Sequence, residues 1–220
     1  VSGRPAARTV PRRILTAALA LAAAATALAA LAPAHPAGPG GPSAALYREV
    51  TGAVTDAPAW LRVTGGFLPG AGLLVLLALV LSVAWTDRGD HRVSRFGVPV
   101  TLAGALVADL ASGAVKTVVG EERPCRAIPR TATWLACPPA GHWSFPSDHA
   151  AIAGALAVGV VFLARRLATA AVLTALVVAG ARVVAGVHYP HDVLAGLLLG
   201  AAVAVACREL WSPGPLSTPN

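Results

Sequence analysis

Apolar runs of about twenty residues, separated by short polar stretches, fix what this chain can become before any motif is considered. A run of that length is what an α-helix needs to cross the hydrocarbon core of a bilayer. In lipid, a helix also satisfies its own backbone hydrogen bonds. The pattern predicts six spans, at about 14–34, 66–85, 97–115, 146–165, 168–187 and 190–207. Charged residues make up 12 % of the chain and apolar residues 56 %, a balance that would leave a water-soluble fold with far too much apolar surface exposed. The expected fold is all-α, an integral membrane bundle of six transmembrane helices within residues 14–210. A basic segment, 1–13, precedes it, and a disordered tail rich in Pro and Ser, 211–220, follows.

Several features of the first half stay open at this level. The run 14–34 reads as a retained helix or as a secretory signal ending at Ala32-Pro33-Ala34, and its length favours the helix. The chain opens on Val1 and contains no Met, so the expected start is absent or unusual. Residues 35–65 form a loop, within which Ala44 to Arg62 is mildly amphipathic and predicts a helix lying on the membrane surface. Cys125 and Cys137 share one loop, either as a disulfide in an oxidising compartment or as two free thiols.

A net charge of +7 raises nucleic-acid binding, but the basic residues lie in short clusters between apolar runs with few aromatics among them. Positive-inside flanking of membrane helices accounts for that pattern better, and no nucleic-acid partner is expected. Ten of the 17 Lys and Arg residues fall in the two termini and in the loops at 86–96 and 164–167. Both termini are therefore expected in the cytoplasm. The polar segment 116–149 and the junction 182–192 then meet on the extracytoplasmic face.

Three stretches converge there. KTVVGEERP places Lys116 at a span end and Arg123 seven residues on; taken alone, such a lysine is usually a snorkelling anchor. SFPSDHA opens the fourth span, with Ser144 as a plausible cap and Ser147, Asp148 and His149 in the first turn. A helix N-terminus with free N–H groups is a ready phosphate site; the bland alternative is a well-capped helix with an interfacial histidine. The third stretch, ARVVAGVHYPHDVLAG, carries Arg182, His188, His191 and Asp192. Four residues separate His188 from Asp192 across a helix start, so the carboxylate can hold the imidazole in one tautomer. Three cations, a hydroxyl, two histidines and an orienting carboxylate on one face are equipment for attacking an anion.

These stretches resemble the type-2 phosphatidic acid phosphatase family, the lipid-phosphatase branch of a superfamily shared with vanadium haloperoxidases. Its pattern of Lys-x6-Arg-Pro, Pro-Ser-Gly-His and Ser-Arg-x5-His-x3-Asp reads here as Lys116-x6-Arg123-Pro124, Pro146-Ser147-Asp148-His149 and Ala181-Arg182-x5-His188-x3-Asp192. Asp148 stands for the usual Gly and Ala181 for the usual Ser. The Pro-Ser-Asp-His version is similar to that of bacterial undecaprenyl-diphosphate phosphatases. The resemblance implies a membrane lipid phosphatase working without metal or cofactor. His188 is then the nucleophile, Asp192 its orienting partner and His149 the acid and base. Lys116, Arg123, Ser147, Asp148 and Arg182 form the phosphate cradle. Opposite protonation states of the two histidines predict a bell-shaped pH profile.

Undecaprenyl diphosphate is the favoured substrate, with phosphatidic acid and phosphatidylglycerol phosphate as alternatives. His191 is expected to make an interfacial contact, His142 and Trp143 to sit at the entrance, and Glu121 and Glu122 to balance the cations. Asp109, on the third span, reads as functional or as a hydrogen bond between helices. Two other classes compete. One is a metal hydrolase on His149, His188, His191 and Asp192, which the surrounding cations oppose. The other is a non-enzymatic membrane protein, for which the internal repeats of a transporter are missing. Nothing in the pattern specifies an oligomeric state.

Overall fold

The computed structural model describes residues 6–33, 40–86, 96–129, 131 and 133–211. All regular structure among them is helical: α1 (Ala6–Leu31), α2 (Pro42–Ala53), α3 (Ala59–Thr86), α4 (Val98–Val119), α5 (Pro124–Ala127), α6 (Asp148–Leu163), α7 (Ala168–Val184) and α8 (Pro190–Trp211). Prolines open several of them, in first-turn positions where a missing N–H costs nothing: Pro42 in α2, Pro124 in α5 and Pro190 in α8. Five helical segments are long and apolar enough to cross a membrane: Val10–Leu31, Ala59–Thr86, Val98–Ala127, Arg165–Val184 and Pro190–Trp211.

Helix α6 is the exception. It has 16 residues, too short for that group, because Ser144 to Ser147 are not helical and Ser147 is extended. The span expected at 146–165 is thus shortened at the end that carries the motif. The amphipathic stretch expected over 44–62 also divides: α2 stops at Ala53, and α3 begins at Ala59, earlier than the expected 66. The expected sixth span runs on to Trp211. The charged loop at 87–95 and the tail from 212 lie outside the described residues.

Helix α6 is apolar on every side, as a buried helix must be, and packs against α3, α4, α7 and α8, while α1 lies on α8. Small residues let α6 and α8 approach closely. A Cβ on Gly200 would run into the Ala151 carbonyl oxygen, and one on Gly196 would meet the Ser147 carbonyl oxygen. Backbone leaves no room to yield at either point. Gly200→Ala is therefore expected to cost about 1–3 kcal/mol by overpacking, seen as a lower melting temperature in detergent. Outside this core, Leu74, Leu106, Leu110 and Leu173 point outward and are exposed, a surface suited to lipid.

Candidate active site

Chain direction brings four helix ends together. Helices α4 and α7 finish where α6 and α8 begin, so Lys116, Arg182, Ser147 and Asp192 share one end of the bundle. Gly120 ends α4 in the left-handed region, at φ 64°, and its N–H caps the Lys116 carbonyl at 2.9 Å. The excursion that follows is tied back at several points. Cys125 and Cys137 form a disulfide, which resolves the two readings of that pair. The Ser144 N–H donates to the Glu121 carbonyl at 2.8 Å, and that of Trp134 to the Ala185 carbonyl at 3.1 Å. Arg123 and Ser144, at the two ends of this loop, are thereby brought to the same place.

The junction between α7 and α8 carries the His188 imidazole. Gly186, at φ 79°, turns the chain as only glycine does without strain. Tyr47 of α2 donates its hydroxyl to the Gly186 carbonyl at 2.9 Å, so the short helix braces this turn. His188 is 2 % exposed. Its Nδ1 lies 3.1 Å from Asp192 Oδ2 and its Nε2 lies 3.0 Å from Arg123 Nη1. A guanidinium only donates, so Nε2 accepts and the ring proton sits on Nδ1, directed at the carboxylate. Asp192 Oδ2 also accepts from the Tyr189 N–H at 2.7 Å and from the Ser144 hydroxyl. Burial pushes the His188 pKa well below 6.5, and Arg123, Arg182, Lys116 and His149 add to the shift. The ring is held neutral, with a lone pair on Nε2.

Around that lone pair stand the cations. Arg123 donates from Nε to the His142 carbonyl at 2.7 Å and from Nη1 to the Val187 carbonyl at 2.9 Å, which fixes the guanidinium plane. Lys116 lies against the Pro146 and Ser144 carbonyls and 3.2 Å from Asp148 Oδ1. Arg182 Nε and Ser147 Oγ are buried with no hydrogen-bond partner. Such orphans are uncommon in protein interiors, and a phosphate oxygen would satisfy both. A cavity of about 190 Å³ opens beside Lys116 and Arg123, lined also by Gly113, His142, Trp143 and Asp148 among others. His142 and Trp143, expected at an entrance, are part of this cavity's wall.

His149 is half-buried in the first turn of α6. Asp148 does not present its carboxylate as a ligand for an anion; Oδ1 accepts from the Ser112 hydroxyl at 2.6 Å and pairs with Lys116. Only its backbone N–H suits a phosphate. His191, read as an interfacial residue, instead makes specific contacts: Nδ1 to Ser43 Oγ at 2.7 Å and Nε2 to both oxygens of Glu121 at 3.1 Å. Glu121, His191 and Asp192 are also the residues whose ligand atoms would fit one metal ion among those described. The set His149, His188, His191 and Asp192 does not form such a group there.

Several known proteins resemble the chain. An undecaprenyl-diphosphatase from Sulfolobus acidocaldarius is 31 % identical over 121 residues, which cover 54 % of this chain and 58 % of that protein. The chain thus spans little more than half the length of the curated relative it matches. Among solved structures, a transmembrane PAP2-type phosphatidylglycerolphosphate phosphatase from Bacillus subtilis superposes with a TM-score of 0.62. The match is 19 % identical and covers 89 % of this chain and 95 % of that one. LpxE from Aquifex aeolicus superposes with a TM-score of 0.58 at 22 % identity, covering 74 % and 92 % of the two chains. At these identities the two structures speak for the fold. Matched over residues 96–213, which hold all three anion-facing stretches and more than half its length, the chain belongs to the PAP2 superfamily.

Proposed function

We propose that this protein hydrolyses a phosphate ester or diphosphate of a membrane lipid through a phosphohistidine on His188. The observation that carries the reading is the buried His188, with Nδ1 on Asp192 and Nε2 facing Arg123 at 3.0 Å. In the first step the Nε2 lone pair forms an N–P bond as the bond from phosphorus to the leaving oxygen breaks. Arg123 keeps its plane, gives up the bond to Nε2 and donates to a non-bridging oxygen, joined by Arg182, Lys116, the Ser147 hydroxyl and the N–H groups opening α6. His149 gives its proton to the leaving oxygen. The negative phosphate between these groups favours the imidazolium that this step requires. In the second step His149 takes a proton from water, whose oxygen attacks phosphorus and breaks the N–P bond. No step needs a metal.

Undecaprenyl diphosphate is the first substrate to test, supported by the name of the Sulfolobus relative and by the Pro-Ser-Asp-His stretch. Phosphatidic acid and phosphatidylglycerol phosphate are the alternatives. In the membrane, α1, α3, α4, α6, α7 and α8 form six spans. Helix α6 is about 24 Å long against a core of about 30 Å, and the extended residues before it complete the crossing. Both termini face the cytoplasm by the positive-inside rule. The Cys125–Cys137 disulfide, in the loop that carries Arg123, supports an oxidising, extracytoplasmic side for the site.

The deciding experiment measures phosphate release by detergent-purified protein, in chelator, from the three lipids side by side. Release from none of them by folded protein would end the proposal. The pH profile offers a second check. His188 must be neutral to attack, and its pKa is held well below 6.5, so on the acid side activity is lost as pH falls through that depressed value. The acid limb of kcat/KM is expected below pH 6.5. Arg123→Gln removes the nearest cation and should move that limb upward, while slowing turnover.

A further inference from the structure

An ammonium group has three protons to donate, and in the empty site Lys116 has acceptors for all three. They are the Pro146 carbonyl, the Ser144 carbonyl at 3.4 Å and Asp148 Oδ1 at 3.2 Å. Arg182 Nε and Ser147 Oγ, by contrast, have no partner. A phosphate reaching those two donors would displace nothing from them, but it gains Lys116, on the cavity wall, only if one acceptor is given up. Two of the three are backbone, fixed by the α6 entry. The third is a side chain that lines the cavity and is 37 % exposed. It is also held: Ser112, fully buried on α4 one turn before Lys116, donates to the same oxygen at 2.6 Å.

We propose that Asp148 is an internal stand-in for phosphate, its carboxylate occupying Lys116 in the empty site and yielding it when phosphate binds. Ser112 positions the carboxylate for this exchange. The inference rests on the reading of this cavity as the phosphate site. Its consequence is a site that releases inorganic phosphate readily, because a competing anion stands ready to take Lys116 back. Where the family pattern has glycine, that competitor does not exist.

The test is an equilibrium titration of detergent-purified protein with inorganic phosphate, which needs no turnover. Asp148→Asn keeps the shape and replaces an anion with a weaker neutral acceptor, so phosphate should bind about tenfold more tightly. In turnover, product inhibition by phosphate should strengthen to match. Ser112→Ala, which frees the carboxylate to turn toward water, should tighten binding in the same direction by about two- to threefold.

In a Lys116→Met background the gain from Asp148→Asn should fall below about twofold, since the contested cation is gone. An equal gain in both backgrounds would reduce Asp148 to simple repulsion and overturn the proposal. Unchanged or weaker phosphate binding in Asp148→Asn, or none in either protein, would overturn it too. Phosphate binding without hydrolysis of any lipid would sink the proposed activity while leaving this result readable.

Discussion

Replacing His188 with alanine is expected to lower phosphate release by about 10⁴-fold, the scale on which catalytic nucleophiles and their bases are lost. The loss should be chemical rather than structural. Asp192 Oδ2 would keep the Ser144 hydroxyl and the Tyr189 N–H, so no buried carboxylate is stranded. The Tyr47 bond to Gly186 and the Ser147 N–H bond to the Asp192 carbonyl at 3.0 Å do not involve the imidazole. A melting temperature close to the parent's, together with loss of an acid-labile phosphoprotein in rapid-quench labelling, is the expected pair of results. A variant that keeps even a tenth of the parental rate would exclude His188 as the nucleophile.

Asp192→Asn should be the next most damaging change, at about 10²- to 10³-fold in kcat with KM nearly unchanged. The place of Oδ2 receives donors from Tyr189, Ser144 and His188, so the amide oxygen will settle there. Its NH₂ then faces Glu121 and His191, where Asp192 Oδ1 stands 3.3 Å from His191 Nε2. Geometry and tautomer survive, and what disappears is the negative charge that stabilises the positive ring formed as phosphorus is attacked. The double variant with His188→Ala should be no slower than His188→Ala alone, because the two residues act as one unit. Additive losses would separate them.

Much of this was legible in the chain itself. Apolar runs announced the helices, and the fixed spacings of Lys116 to Arg123 and of His188 to Asp192 announced the cluster. Fixed spacing reports local geometry, which a helix end or a tight turn realises wherever it is placed. Contacts between distant stretches leave no such trace. Ser144 looked like a cap and proved to be a ligand of Asp192, 48 residues on. His191 meets Glu121 across 70 residues, and neither residue type marks the other. Ser112 was nearer to discovery. It lies four residues before Lys116, on the same helix face, and a hydroxyl there is a plausible partner for whatever Lys116 holds. Helix ends were misjudged where polar and aromatic residues continue a helix beyond its apolar run, as Trp60 and Arg62 do at the start of α3.

The close approach of α6 to α8 has a consequence for how such a protein can change. With Gly196 and Gly200 against the carbonyls of Ser147 and Ala151, the Ser147 hydroxyl and the Asp192 carboxylate ride on one rigid piece. Side chains cannot be enlarged along that seam without moving the reacting atoms. The loop that carries His142 and Trp143, two residues of the cavity wall, is closed on itself by the Cys125–Cys137 disulfide and also carries Arg123. Arg123 is held there by the His142 carbonyl, a backbone atom, so variation in headgroup preference can accumulate in the His142 and Trp143 side chains without releasing the guanidinium. Exchanging the side chains of His142 and Trp143 for those of a relative with a different lipid should move substrate choice and leave the rate of the chemical step close to the parent's.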